Sequence, residues 1–168
     1  MINESIGFIH VLFSFIISLY FLWRNDTFDI IYIVYFILLN LSWLIMKNEC
    51  LISYIIKRKN DSDYSLGDST NIEDYELILG EKLSEMFLDY IRFMYVFNIS
   101  FILLVGEIDI FLKLLLALFT FSCFFYMYSF KNTPFKKNTE YIKNIHMSLT
   151  IIVLSYILYL YSNPHFVK

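Results

Sequence analysis

The stretch KNECLISY, residues 47–54, places Glu49 beside Cys50 at the end of a long apolar run. A cysteine thiolate can attack a carbonyl carbon or bind a metal, and a nearby histidine can remove the thiol proton. His10 lies near the start of the first apolar run. His10, Glu49 and Cys50 are therefore candidate catalytic residues, and His10 and Cys50 are also candidate metal ligands.

The spacing of these candidates matches no known motif. The chain contains no HxxxH, HExxH or CxxC pattern. Asp89 and His146 add further ligand types that zinc or iron binds. Each candidate also has a structural interpretation, in which His10 is a hydrogen-bonded packing residue and Cys50 is a small apolar residue at a helix end. The sequence leaves both interpretations open and identifies no cofactor.

The composition is that of a membrane protein. Of the 168 residues, 58% are hydrophobic, and the mean hydropathy is +0.59. A soluble domain is about 45–50% apolar. The net charge is -3, and a pI of about 5.5 argues against nucleic acid as the main partner, so the lipid bilayer is the partner that the composition implies.

The sequence predicts an all-α integral membrane bundle of five transmembrane helices, which form one domain. A bilayer core of about 30 Å requires roughly 20 helical residues, and helices satisfy their own backbone hydrogen bonds in lipid. The segment that would be the first span is followed by no cleavage site for a signal peptide. The predicted spans run from Ile6 to Trp23, Phe28 to Met46, Leu88 to Val105, Ile110 to Phe130 and Ile145 to Tyr161.

The basic residues predict the orientation of the bundle. Of the 13 lysines and arginines, ten fall on the side of the N-terminus and three on the other. Because cytoplasmic loops carry an excess of positive charge, we expect a cytoplasmic N-terminus and a C-terminus outside or in a lumen. Residues 57–82 then form an acidic cytoplasmic loop, a candidate surface for a protein partner. Within it, Thr70 and Glu73 predict a capping box that begins a short helix ending near Gly80.

Polar residues within or beside the spans are functional candidates, because polar groups in a membrane are costly. The structural alternative is that they pack or anchor the helices, with Asp89 and Arg92 as an ion pair. These residues are Asn40, Trp43, Asp89, Arg92 and Asn98.

Helical periodicity predicts which faces of two spans meet other helices, because small and polar residues mark helix contacts in lipid. One arc of the first span and one arc of the fifth span gather such residues. They are Asn3, Gly7, His10, Ser14 and Ser18 in the first, and Tyr141, Asn144, Ser148, Ser155 and Tyr159 in the fifth.

The geometry at KNECLISY depends on whether the second helix continues. In a continuous helix Glu49 and Cys50 would point about 100° apart, with Cys50 on the packing face. A break near Asn48 would allow both side chains to line a site that faces His10. The sequence does not choose between these arrangements.

A short pattern resembles small uncharacterised multi-pass membrane proteins of large DNA viruses and some protists. The pattern consists of His10, Trp43, Asn48, Glu49, Cys50, Ser53, Tyr54, Tyr64, Leu66 and Gly67. A fainter similarity runs to a bacterial family of small membrane proteins with an early histidine and a cysteine-plus-acid stretch. The resemblance covers about residues 5–70 and implies no activity. It favours a role for KNECLISY beyond that of a helix end.

The sequence predicts function only as a class. The leading hypothesis is a non-enzymatic structural or assembly component that docks a partner on the 57–82 loop. The alternative is a small membrane-embedded enzyme or metal/redox protein with a site at the cytoplasmic boundary around His10, Glu49 and Cys50. A transporter subunit is the third hypothesis. The oligomeric state and the particular membrane are not specified by the sequence.

Overall fold

The computed structural model describes residues 2–129 and 134–163, and every regular element in these ranges is a helix. The all-α prediction is therefore confirmed for this part of the chain. The elements are α1 (Ile2–Ser18), α2 (Tyr20–Trp23), α3 (Asp26–Ile45), α4 (Leu51–Asn60), α5 (Glu73–Leu79), α6 (Glu81–Val105), α7 (Ile110–Ser129), a 3₁₀ helix (Pro134–Asn138) and α8 (Thr139–Ser162).

Four of these helices, α3, α6, α7 and α8, are long and apolar enough to cross a membrane. Their length and composition are those of a multi-pass membrane protein. The predicted first span is divided into two helices, because α1 ends at Ser18 and α2 begins at Tyr20. The apolar segment of α1 is shorter than the four long helices. Phe130, the predicted end of the fourth span, lies outside the described residues.

The described residues group into two compact units. The first consists of Met1–Arg24 and Ser42–Asn98, and the second consists of Asn25–Leu41 and Ile99–Lys168. The boundaries fall inside α3 and α6, so both of these helices contribute residues to each unit. All the candidate catalytic residues belong to the first unit.

In the first unit, α1 packs against α5, and α4 also packs against α5. Gly7 permits the close approach of α1, because a Cβ atom there would lie 2.6 Å from the backbone oxygen of Asp74. Gly7, Ser14 and Ser18 are buried, so the predicted packing face of α1 is confirmed. This face positions His10, which lies between Gly7 and Ser14 on the same side of the helix.

The break between α1 and α2 is bridged by Asn98, which is fully buried on α6. Its amide nitrogen donates to the carbonyl oxygen of Ser18 at 2.9 Å, and its amide oxygen accepts from the backbone N–H of Phe21 at 3.1 Å. A helix break leaves backbone groups without their usual partners, and these would be costly to bury. One asparagine side chain thus satisfies a donor and an acceptor at the break.

In the second unit, α7 and α8 form the most extensive helix pair. His146 is fully buried between the rings of Phe119 and Tyr126, and its Nδ1 lies 2.8 Å from the hydroxyl oxygen of Ser122. The predicted packing face of the fifth span was wrong. The buried face of α8 contains His146, Thr150, Val153 and Ile157. The predicted arc is largely exposed: Tyr141, Asn144, Ser148, Ser155 and Tyr159.

We expect Asn98→Leu to lower the free energy of unfolding by about 1–3 kcal/mol, the cost of leaving a buried polar group unpaired. Thermal unfolding in detergent, followed by circular dichroism, measures this loss. Asn144→Leu is the matched control, because Asn144 is exposed on α8 and its replacement should change stability by less than about 0.5 kcal/mol. Equal effects of the two substitutions would contradict the bridging role.

Candidate functional site

A sharp turn separates α3 from α4 and positions Cys50. Lys47 and Asn48 both have positive φ angles, 51° and 69°, a region that asparagine tolerates better than most residues. The N–H of Asn48 donates to the carbonyl oxygen of Trp43 at 2.7 Å, which closes the end of α3. The structure therefore has the break near Asn48, and Cys50 occupies the N-cap position of α4, where its side chain makes no capping hydrogen bond.

Glu49 is fully buried and points into the loop that follows α4. Its Oε1 accepts from the ammonium of Lys57 at 3.0 Å and from the hydroxyl of Tyr64 at 2.6 Å. Its Oε2 accepts from the backbone N–H of Gly67 at 3.2 Å. Glu49 and Cys50 are adjacent in the chain, but their side chains point to different parts of the structure. Glu49 contacts the loop, whereas Cys50 faces His10.

Lys57 is also buried, and it binds more than one part of the loop. Besides Glu49, its ammonium donates to the backbone oxygens of Asn71 at 2.7 Å and Ser69 at 3.3 Å. Burial and the hydrogen bond to Glu49 raise the pKa of Tyr64 to about 12, so this phenol stays protonated at neutral pH and keeps donating. Lys57 therefore anchors the loop through the loop's backbone oxygens as well as through Glu49.

The loop leads into α5, whose start differs from the prediction. Ile72 occupies the N-cap position and makes no side-chain cap, so the predicted capping box of Thr70 and Glu73 is wrong. The hydroxyl of Ser53 on α4 accepts from the N–H of Glu73 at 2.8 Å instead. The predicted end is confirmed, because α5 stops at Leu79 before Gly80, whose φ is 78°. The cap comes from a neighbouring helix.

Three side chains meet where α1, α4 and α5 come together. His10 Nδ1 donates to Asp74 Oδ2 at 2.5 Å, and His10 Nε2 lies 4.0 Å from the sulfur of Cys50. Asp74 is fully buried, 14% of the His10 side chain is exposed, and Cys50 is partly exposed. The order of contacts is thus thiol, imidazole and carboxylate, from the more accessible side to the buried side.

The imidazole of His10 is held by further contacts with α5. The ring of Tyr75 lies 4.8 Å from the His10 ring, centroid to centroid, and its hydroxyl lies 2.6 Å from that of Ser14. Asp74 Oδ1 is buried and has no hydrogen-bond partner among the described residues. Burying a polar atom without a partner is costly, so the contact between Oδ2 and His10 is the interaction that compensates the burial of Asp74.

Among the described residues, a metal site at His10 and Cys50 is not completed by a third ligand. His10 Nε2 faces Cys50, whereas Asp74 contacts the other ring nitrogen, so of these three side chains only the imidazole and the thiol could share a metal ion. Zinc sites in proteins have three or four protein ligands. Across residues 2–129 and 134–163, no group of three or more histidine, cysteine, aspartate and glutamate side chains could hold a metal ion.

The polar residues predicted near the spans have structural partners. The amide of Asn40 donates to the backbone oxygen of Phe36 at 2.8 Å and accepts from the thiol of Cys123 at 3.0 Å. In the first unit, a guanidinium nitrogen of Arg92 lies 3.8 Å from Oδ1 of Asp89. The central guanidinium carbon of Arg92 lies 5.9 Å from the centre of the Trp43 ring. These contacts, and those of Asn98, are the ones that the structural interpretation requires.

Comparison with known proteins supplies no family for this chain. No family model, curated protein or solved structure matches it. The similarity of KNECLISY to viral and protist membrane proteins therefore stays a prediction. The function proposed below depends on the chemistry of Cys50, His10 and Asp74.

Asp74 is the residue of this site that sequence reasoning missed. The acidic loop contains several carboxylates in a polar stretch, and no local pattern distinguishes Asp74 from Asp61, Asp63 or Asp68. The sequence signal for this contact lay on α1, the partner of Asp74. Gly7, His10 and Ser14 form a small and polar face that requires a polar partner.

We expect Lys57→Met to lower the free energy of unfolding by about 3–5 kcal/mol, because it leaves the buried charge of Glu49 unpaired. Chemical unfolding in detergent measures the loss. The double variant Glu49→Leu, Lys57→Met removes both charges and should cost less than Lys57→Met alone. Lys59→Met is the control, since Lys59 is exposed. If the double variant is less stable than Lys57→Met, the ion pair is not the anchor.

Proposed function

We propose that this protein is a membrane-bound thiol enzyme that transfers or hydrolyses acyl groups. Cys50 would be the nucleophile, His10 the general base, and Asp74 the positioning residue for His10. The observation that carries the proposal is the order of contacts, in which one imidazole nitrogen faces a thiol and the other donates to a buried carboxylate. Nucleophile, base and orienting group follow this order in the triads of acyl-transfer enzymes.

The first chemical step follows from the tautomer that Asp74 selects. With the proton of the imidazole on Nδ1, the lone pair of His10 Nε2 is free to accept the thiol proton of Cys50. The thiolate adds to an acyl carbonyl, the bond between the carbonyl carbon and the leaving group breaks, and His10 gives its proton to the leaving group. Water then cleaves the Cys50 thioester and releases a carboxylic acid.

The start of α4 supplies groups that can stabilise the negative charge on the reacting carbonyl oxygen. Cys50 precedes this ten-residue helix directly. The first N–H groups of a helix have no partners within it, and the helix dipole makes this end positive. Backbone N–H donors of this kind stabilise tetrahedral intermediates in acyl transfer. The backbone N–H groups beside Cys50 can therefore donate hydrogen bonds to the oxygen of the carbonyl that the thiolate attacks.

A non-enzymatic docking function is the second candidate. Asp61, Asp63 and Asp68 are exposed in the loop and would suit a basic protein partner. Most of the loop between Tyr64 and Tyr75, however, folds against Glu49, Lys57 and His10, which favours the enzymatic proposal. A docking protein needs no reactive thiol, so the acylation experiment described below separates the two functions.

We also propose a five-span topology in which α1 and α2 together make the first crossing and the N-terminus is cytoplasmic. The distribution of basic residues supports this topology. Single cysteines introduced at Asn3, Thr27 or Lys59, in a variant lacking Cys50 and Cys123, can be tested on sealed cells with a membrane-impermeant maleimide. We expect labelling at Thr27 alone, because the proposed topology places Asn3 and Lys59 in the cytoplasm. Labelling of Asn3 and Thr27 from the same side would show that α1 and α2 do not cross.

The enzymatic proposal predicts a covalent intermediate. With p-nitrophenyl acetate, the detergent-purified chain should release a burst of about one p-nitrophenol per protein and carry an acetyl group on Cys50. We expect His10→Gln to slow acetylation about 100-fold, the usual contribution of a general base. Asp74→Asn should slow it as well and shift its pH profile. Stopped-flow absorbance and peptide mass spectrometry measure both.

The second cysteine provides the control within the same chain. Cys123 is buried and donates to Asn40, so Cys123→Ser should keep the burst that Cys50→Ser loses. Circular dichroism confirms that each variant is folded. Acetylation of Cys50 at the same rate in the wild type and His10→Gln would contradict the assignment of His10 and favour the docking function.

A further inference from the structure

We infer that the acyl group which reaches Cys50 carries a long hydrocarbon chain, and that this chain lies along the exposed apolar surface beside Cys50 and His10. The inference rests on the proposed function, because it names the substrate class of the same site. Its basis is the character of the side chains that flank the two reacting residues.

Apolar side chains follow Cys50 directly. Leu51 and Ile55 lie one turn apart on the same face of α4 and are 50% and 56% exposed. The opposite face of the helix is buried and contains Ser53, Ile56 and Lys57. A helix with one face against the protein and an exposed apolar face suits the interface of a membrane better than water. Cys50 thus begins an apolar stripe at the membrane surface.

The histidine is flanked in the same way. Ile6 precedes His10 by four residues and Phe13 follows it by three, so both lie within one turn of it along α1. Both side chains are exposed. The exposed apolar surface of α1 therefore continues along the helix in both directions from the imidazole.

Apart from the N–H groups at the start of α4 and the buried Oδ1 of Asp74, the polar groups described at the site are engaged with one another. Ser14 is bonded to Tyr75, and Ser53 accepts from the N–H of Glu73. The imidazole of His10 is oriented by Asp74. A polar substrate would need free partners for its own groups, whereas an alkyl chain requires only apolar surface. The described surroundings therefore favour recognition by chain burial.

Two sources can deliver such a chain with the same chemistry. One is a soluble long-chain acyl thioester, and the other is an ester of a bilayer phospholipid. In both, Cys50 forms a bond to the acyl carbon, and the carbon–sulfur or carbon–oxygen bond of the substrate breaks. His10 passes the thiol proton to the departing thiol or alcohol, and water later releases a fatty acid. The shared recognition element is the alkyl chain.

Chain-length dependence tests the inference on the full chain in detergent. The second-order rate constant for acylation of Cys50 should rise at least 10-fold from p-nitrophenyl acetate to the octanoate, since each buried methylene is worth up to about fourfold. Leu51→Gln with Ile55→Gln should reduce the octanoate rate more than the acetate rate. Leu83→Gln, which replaces a leucine of similar exposure on α6, should leave their ratio unchanged.

The outcomes separate this inference from the function on which it rests. Equal rates for acetate and octanoate, with Cys50 acetylated, would overturn the long-chain substrate and keep the thiol enzyme. Failure of every ester to acylate Cys50 would overturn both. Vesicles of phosphatidylcholine, with and without a hexadecanoyl thioester, then identify the source by the mass added to Cys50. A hexadecanoyl adduct only when the thioester is present indicates a soluble donor, and no adduct in either arm contradicts the inference.

Discussion

The buried ion pair between Glu49 and Lys57 is the interaction on which the first unit depends. Removing two charges from water is costly, and the cost is offset only when both groups are fully hydrogen-bonded. Tyr64 and the N–H of Gly67 complete the shell of Glu49, while backbone oxygens of the loop accept from Lys57. Because the pair connects both ends of α4 to residues 64–71, it determines where the loop runs.

The position of α5 follows from the course of that loop. Ser53 caps α5 from α4, and Gly7 allows α5 to contact the backbone of α1. Asp74 then reaches His10 on α1, and the turn at Asn48 brings Cys50 to the other side of the imidazole. Three residues that are far apart in the chain become neighbours through this one network. The proposed chemistry is therefore a consequence of how the loop is anchored.

The sequence predicted those features that depend on local pattern. Hydropathy located the four long apolar helices, and the small and polar face of α1 was predicted because its periodicity is unbroken from Gly7 to Ser18. The sequence also left open two arrangements at KNECLISY, and a helix break near Asn48 was one of them. The predicted face of α8 was wrong because its buried polar groups find partners within the second unit, as His146 does with Ser122 and Thr150 does with the carbonyl oxygen of His146. Asp74 and the role of Lys57 depend on tertiary contacts, which no local pattern encodes.

Through the course of the loop, the Glu49–Lys57 ion pair holds Asp74 against His10, and this is our central claim. Proton NMR of the protein labelled with ¹⁵N-histidine, in micelles, tests it directly, because a ring N–H bonded to a carboxylate resonates at low field. We expect one low-field Nδ1 proton that is lost in His10→Gln and Asp74→Ala, and also in Lys57→Met, which does not touch His10. A signal that survives in Lys57→Met would contradict the anchoring claim, and its absence from the wild type would contradict the site itself.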